Sequence, residues 1–155
     1  MRPLPLLMLA ALLLSAPARA GDTPPPAPTG YVFQGASVKS CTDGDTCRLD
    51  LHDSHPVFGK VTWREQLVRL IGLDTPELHP ARCAEEKALG EKARDRLIAL
   101  INGAKAVRVI VEGKRRDKYG RLLVRIEADG VDVAQTLIAE DLGRAYNGGR
   151  RKGWC

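Results

Sequence analysis

The stretch Arg69-Leu70-Ile71-Gly72-Leu73-Asp74-Thr75-Pro76-Glu77 decides how this chain is read. Its first half is an apolar run bounded by a turn signal, the pattern of a buried β-strand. Pro76 lacks an amide donor and biases Thr75 toward extended geometry, so the strand stops there. Asp74 and Glu77 therefore stand at a strand exit, with Arg69 upstream of them. Two acids and an arginine in that arrangement are the parts of a metal-assisted phosphate site.

Two more pieces extend the pattern. Asp43-Gly44-Asp45-Thr46 lies between strand-like residues 36–41 and 47–51. Asp117-Lys118-Tyr119-Gly120-Arg121 forms a turn before strand-like residues 122–126. An Asp-Gly pair between apolar runs is, alone, an ordinary hairpin turn. Taken in order, with a helix between the second and third, the three pieces resemble the staphylococcal nuclease (thermonuclease) family. The resemblance covers residues 38–146.

Working outward, residues 1–20 read as a signal peptide: Arg2, an apolar run over 4–14, and a small-x-small cut at Ala18-Arg19-Ala20. The apolar run is shorter than the roughly 20 residues a spanning helix needs. An exported protein, periplasmic or secreted, with no stable membrane association is the expectation. Residues 21–30, with Pro24-Pro25-Pro26 and Pro28, read as a stiff linker. Residues 31–155 are then one domain with one core. The leader holds Arg2 and Arg19 and no acid, so losing those two takes the net charge from +5 to +3. So mild an excess does not identify a nucleic-acid binder by itself. Its distribution says more, because Lys114, Arg115, Arg116, Lys118 and Arg121 gather near one turn and Arg144, Arg150, Arg151 and Lys152 near the end.

The expected elements are strands over 31–41, 46–51 and 60–73, separated by the Asp43 turn and a polar loop over 52–59 that holds His52 and His55. A helix over 84–101 follows, with Leu89, Ala93, Leu97, Leu100 and Ile101 at helical spacing and Asn102-Gly103 as its stop. Gly90 inside it costs roughly 1 kcal/mol against Ala, a cost that close packing against the barrel would explain. Strands over 106–111 and 122–126 come next. Asp132 with Gln135 makes a capping-box-like start to a second helix that runs to about 142 and ends at Gly143. Five strands with a helix after the third is the order of a five-stranded OB-fold, a β-barrel with helices (α+β) of the staphylococcal-nuclease type.

Four cysteines in an exported chain of this size favour disulfides. Three pairings are open. Cys41 with Cys47 across the hairpin, and Cys83 with Cys155, is the working guess. A zinc site using Cys41, Cys47, Cys83 and a histidine competes with it, but lacks the close paired-cysteine spacing of structural zinc.

Asp45 and Asp74, at separate strand ends, can offer one hard cation oxygen ligands only, which with a backbone carbonyl and waters suits Ca²⁺. The resemblance implies Asp45 and Asp74 as the metal carboxylates, the Thr75 carbonyl as third protein ligand, and Asp43 beside them. It implies Glu77 as the general base, and Arg69 and Arg121 as the guanidinium groups that grip the phosphate. Arginine suits that task through its planar, permanently charged fork. Lys118 and Tyr119 match positions that contact the nucleotide's other phosphate. The function so implied is a monomeric, Ca²⁺-dependent endonuclease acting on DNA and RNA with little sequence preference and leaving 3′-phosphate ends. The alternative is a non-catalytic OB-fold module that only binds nucleic acid; a third reading is a structural domain whose cation steadies loops. Two departures from the family stand out: a longer loop over 52–60, and a tail that lacks the family's third helix and keeps only Tyr146 of its base-covering aromatics.

Overall fold

The computed structural model describes residues 30–112 and 116–155. The expected leader, most of the Pro-rich segment, and Lys114 and Arg115 of the basic turn lie outside the described residues. Strands are β1 (Val32–Phe33), β2 (Gly35–Cys41), β3 (Thr46–His55), β4 (Gly59–Leu70), β5 (Gly72–Asp74), β6 (Val107–Val111), β7 (Leu122–Ala128), β8 (Val131–Asp132) and β9 (Arg144–Tyr146). The helices are α1 (Ala84–Gly103) and α2 (Val133–Ala139).

The main sheet runs β1-β6-β7-β4-β3-β2. β1 and β2 are one expected strand bent at Gln34, and its two halves pair at opposite ends of that order: Val32 with Ile110 of β6, and residues from Gly35 onward with β3. A single bent strand thus closes the sheet on itself, which removes the exposed edges. β4 meets β7 in parallel, Arg69 opposite Leu123, and every other pairing in the barrel is antiparallel. The result is the five-stranded OB-fold order, with β1/β2, β3, β4, β6 and β7 as its principal strands.

Alternation along these strands fills the barrel. Leu49, Leu51, Val68, Leu70, Val109 and Val124 are buried inside it, each worth roughly 1.5–3 kcal/mol of transfer free energy. Helix α1 closes one end with Gly90, Ala93, Leu97 and Ile101, the stripe that 3.6-residue spacing requires. Cys83 caps it, its Sγ accepting the Glu86 N–H at 3.4 Å. Among the described residues no helix is long and apolar enough to cross a membrane.

Four expectations need correction. The polar loop over 52–59 is instead the far end of a long hairpin: β3 continues to His55, opposite Gly59, and only residues 56–58 turn. His52 is a strand residue whose ring meets Ser37 Oγ at 3.2 Å and Thr62 Oγ1 at 3.1 Å. The strand over 60–73 is broken after Leu70, where Gly72 takes φ +76° and lets β5 leave the barrel to pair with β9. Finally, α2 stops at Ala139, short of 142, because Asp141 adopts φ +57° before Gly143 is reached.

Both guessed disulfides are present, Cys41–Cys47 and Cys83–Cys155, and no cysteine among the described residues is free to bind zinc. Gly90 does pack closely, but not against the barrel. A Cβ there would lie 2.8 Å from Leu78 Cδ2 and 3.0 Å from the Pro76 carbonyl, the two residues flanking Glu77.

Candidate functional site

Three chain segments meet where β4 leaves the barrel. Arg69 closes the β4 ladder opposite Thr46, one residue after Asp45, and the Leu70 N–H donates to the Asp45 carbonyl at 2.8 Å. Register alone therefore delivers Asp45 and Arg69 to the same spot. Their side chains form a buried ion pair, and Arg69 Nη2 donates to the Leu73 carbonyl at 3.1 Å. Asp45 Oδ2 also accepts the Thr75 N–H at 3.2 Å, so it reaches the peptide that joins Asp74 to Thr75. Gly44 makes this approach possible: a Cβ there would come within 2.7 Å of Ala93 Cβ and 2.9 Å of Thr75 Cγ2.

Asp43, Asp45, Asp74 and Thr75 are all buried. Burial raises the Asp43 carboxyl above its ordinary value against the pull of Arg69. The Asp43 Oδ1 accepts the Asp45 backbone N–H at 3.3 Å, which sets the two acids side by side. Burial, and after it the charge of Arg151, pulls the Arg69 pKa down to about 10, so the guanidinium stays charged at neutral pH. Asp74 Oδ1 and Thr75 Oγ1 are buried and accept no hydrogen bond among the described residues. A buried carboxylate oxygen left in that state costs free energy unless a cation faces it.

Asp74 Oδ1 makes no hydrogen bond but lies 3.2 Å from Arg151 Nε, and the donors on offer are all oxygen, the kind a hard divalent cation takes. Among the described residues no three or more His, Cys, Asp or Glu side chains are gathered closely enough to hold a metal by themselves.

Next to the acids runs an open cleft of about 790 Å³, lined by Arg69, Arg121, Lys118, Tyr119, Tyr146 and Arg151 among others. Arg121 is held by Asp117: its Nε donates to Oδ2 at 2.8 Å, and its own N–H and that of Tyr119 donate to Oδ1 at 3.0 and 2.9 Å. Burial disfavours the Asp117 charge, yet these bonds outweigh it and hold the carboxyl below its ordinary value. Tyr119 is exposed, with its ring against both Lys118 and Arg121. Arg116 turns away to Gln66 and the Gly120 carbonyl.

Glu77 sits on the segment between β5 and α1, with buried Pro76 and Leu78 on either side. Its carboxylate is paired with Arg151, whose Nε lies 3.2 Å from Asp74 Oδ1. In the sequence Arg151 stands only as part of a basic tail. No spacing rule brings residue 151 to residue 74; a Gly-Gly turn and a terminal cysteine are the only hints, and neither names the target. Neither Asp45, Asp74 nor Glu77 lines the cleft, and each is joined to it by an arginine that does.

Residues 67–152 match the family described as "Staphylococcal nuclease homologue". The chain is 41% identical over 109 residues to the SPbeta prophage-derived endonuclease YokF of Bacillus subtilis (strain 168), covering 70% of this chain and 33% of that protein. It is 40% identical over 103 residues to endonuclease YncB of the same organism, covering 66% of this chain and 43% of that protein. Endonuclease YhcR, again from B. subtilis, is 32% identical over 127 residues, 79% of this chain but 10% of its own length. The chain thus spans a third to less than half of the first two curated relatives it matches.

Proposed function

From the premise that this chain belongs to the staphylococcal nuclease family, we propose that it is an exported, monomeric, Ca²⁺-dependent endonuclease that hydrolyses phosphodiester bonds in DNA and RNA with little sequence preference, leaving 3′-phosphate ends. One observation carries the reading. Arginines from β4, the turn before β7 and the tail line one cleft, and two of them, Arg69 and Arg151, join Asp45, Asp74 and Glu77 to it.

Hydrolysis of a phosphodiester needs a nucleophilic water, relief of charge on the phosphoryl oxygens and a stabilised leaving oxygen. Arg69 lines the cleft, is held by the Leu73 carbonyl as well as by Asp45, and would offer its guanidinium to the phosphate. Arg121, held by Asp117, offers a second fork to the same cleft, suited to the charge that builds on the leaving oxygen. Glu77, half exposed at the site's edge, takes the proton of the attacking water. Lys118 and Tyr119 flank Arg121 and would hold the neighbouring phosphate. Asp45, Asp74 and the Thr75 carbonyl would hold the cation, with Asp43 orienting Asp45. When bound, a divalent ion there supplies positive charge for the phosphoryl oxygens and acidifies a bound water.

The test is incubation of the purified, oxidised protein with denatured DNA and with RNA, in Ca²⁺ and then in a chelator. Fragments bearing 3′-phosphates should form only with the ion, and Glu77→Gln should slow cutting by about 10²-fold or more. Intact nucleic acid in the Ca²⁺ lane, with the substrate merely retarded on a gel, would replace the enzyme by a binding module.

A further inference from the structure

The tail after β9 is built to one end. Gly148 and Gly149 take φ +99° and +94°, values that reverse the chain without the strain a side chain would add there. The Tyr146 hydroxyl donates to the Gly149 carbonyl at 2.8 Å and secures that turn. Arg144 Nη1 donates to the Gly153 carbonyl at 2.9 Å, and its guanidinium lies 3.6 Å over the Trp154 ring. Cys155 is then bonded to Cys83 at the start of α1. Between these fastenings stands Arg151, with Nη1 on Glu77, Nε toward Asp74, and the Tyr146 ring 5.6 Å from its guanidinium carbon.

Arg151 also lines the cleft together with Arg69 and Arg121. It is partly exposed, at 38% of its side chain, so its fork can turn without unpacking a core. Asp74 Oδ1, the carboxylate oxygen with no hydrogen bond, is the atom that Arg151 faces. A guanidinium and a divalent cation on that one carboxylate repel each other, so the two compete for it.

We propose that Arg151 is a shared guanidinium of this site: it neutralises Asp74 and Glu77 in the protein alone, competes with a cation for Asp74, and turns to a substrate phosphate once Asp74 is taken. The Cys83–Cys155 bond keeps it within reach. The inference rests on the nuclease reading for its phosphate, while its cation half stands on the Asp74 contact alone. Removing Arg151 then moves two affinities in opposite directions, which a loss of structure does not do.

The experiment compares the wild type with Arg151→Ala, Arg151→Lys and the Cys83→Ala/Cys155→Ala pair, each checked for folding by circular dichroism. Ca²⁺ affinity is measured by calorimetry without nucleic acid. Nucleic-acid affinity is measured by fluorescence anisotropy with a phosphorothioate-linked oligothymidylate in saturating Ca²⁺, so that binding is read without cutting. R151A should bind Ca²⁺ about tenfold more tightly, because a positive charge has left Asp74. It should bind the oligonucleotide about tenfold more weakly, the loss of one charge-assisted phosphate contact. R151K keeps the charge, so its Ca²⁺ affinity stays near wild type and part of the oligonucleotide affinity returns. The cysteine pair should shift both values as R151A does, by less. Unchanged or weaker Ca²⁺ binding in folded R151A overturns the proposal, as does unchanged oligonucleotide binding or a parallel loss of both. A wild type that binds the oligonucleotide but fails to cut DNA sinks the nuclease reading alone, and the two R151A affinities still decide this inference.

Discussion

Arg69 is buried between Asp45 and the Leu73 carbonyl, and its removal should be felt in the fold as well as in the chemistry. The buried Asp45–Arg69 pair is closed by a hydrogen bond to Leu73, and breaking such a pair from one side leaves an uncompensated charge. Arg69→Ala should therefore cost about 3–5 kcal/mol in urea unfolding. Arg69→Lys keeps the charge but has no fork to serve the carboxylate and the carbonyl together, so it should recover only part of that loss. Asp117 makes a separate prediction about pH. Its carboxyl lies below the ordinary 3.8 because bonds to Arg121 and Tyr119 outweigh burial. A depressed carboxylate stabilises the fold fully above its unfolded value and gives that stability up as pH falls through the lower, folded value. The Arg121 turn should thus hold down to about pH 4 and loosen below it, measured as amide exchange at Tyr119 and Arg121. A turn that loosens at neutral pH instead would remove Asp117 as its anchor.

Helix α1 has a task beyond covering the barrel. Its Gly90 lies against Pro76 and Leu78, so the helix surface sets the position of the segment that presents Glu77. Gly90→Ala should gain about 1 kcal/mol of helix propensity. It should lose about 1–3 kcal/mol to the clash, because the backbone carbonyl at 3.0 Å has less freedom to move than a side-chain end. A net fall in stability is expected by urea titration, and, on the nuclease reading, a fall in cutting rate as Glu77 shifts. A more stable and equally active G90A would mean that this segment yields freely. Strand β5 is set in the same manner. Gly143 brings the chain against Leu73, where a Cβ would fall 2.4 Å from Cδ1, and this closeness lets β9 pair with β5 at Asp74 opposite Arg144.

For the whole molecule, the two disulfides do different work. Cys41–Cys47 spans a separation of 6 and braces the hairpin that presents Asp43 and Asp45, whereas Cys83–Cys155 spans 72 and ties the tail to the start of α1. Chain entropy makes the long closure worth about 4 kcal/mol and the short one about 2 kcal/mol. Replacing each pair by alanines should lower the free energy of unfolding in that order, and a reversed order would mean that native contacts around Cys41 outweigh loop length. Cys47 belongs to the barrel core beside Val68, with Cys41 packed against it, whereas Cys83 and Cys155 lie outside that core, so losing the short bond should also disturb barrel packing and losing the long one should leave it intact.

Local chemistry alone determined much of this protein. The alternation of the barrel strands, the stripe of α1, the Asp132 cap and the stop at Pro76 depend on near neighbours in the chain, so they are legible residue by residue. The three acidic and basic pieces were legible as pieces for the same reason, and the OB order followed from five strands with a helix after the third. What the tertiary structure decided is which of them meet. The extension of β3 to His55 was hidden because polar residues can serve a strand whose far end stands in water. The early stop of α2 depended on Asp141 taking a left-handed conformation that no periodicity announces. Above all, the placing of Arg151 on Asp74 and Glu77 required a glycine turn, a cation–ring contact and a bond across 72 residues to act at once. Contacts between distant residues are set by the closed shape of the chain, and a pattern of neighbours holds no record of that closure.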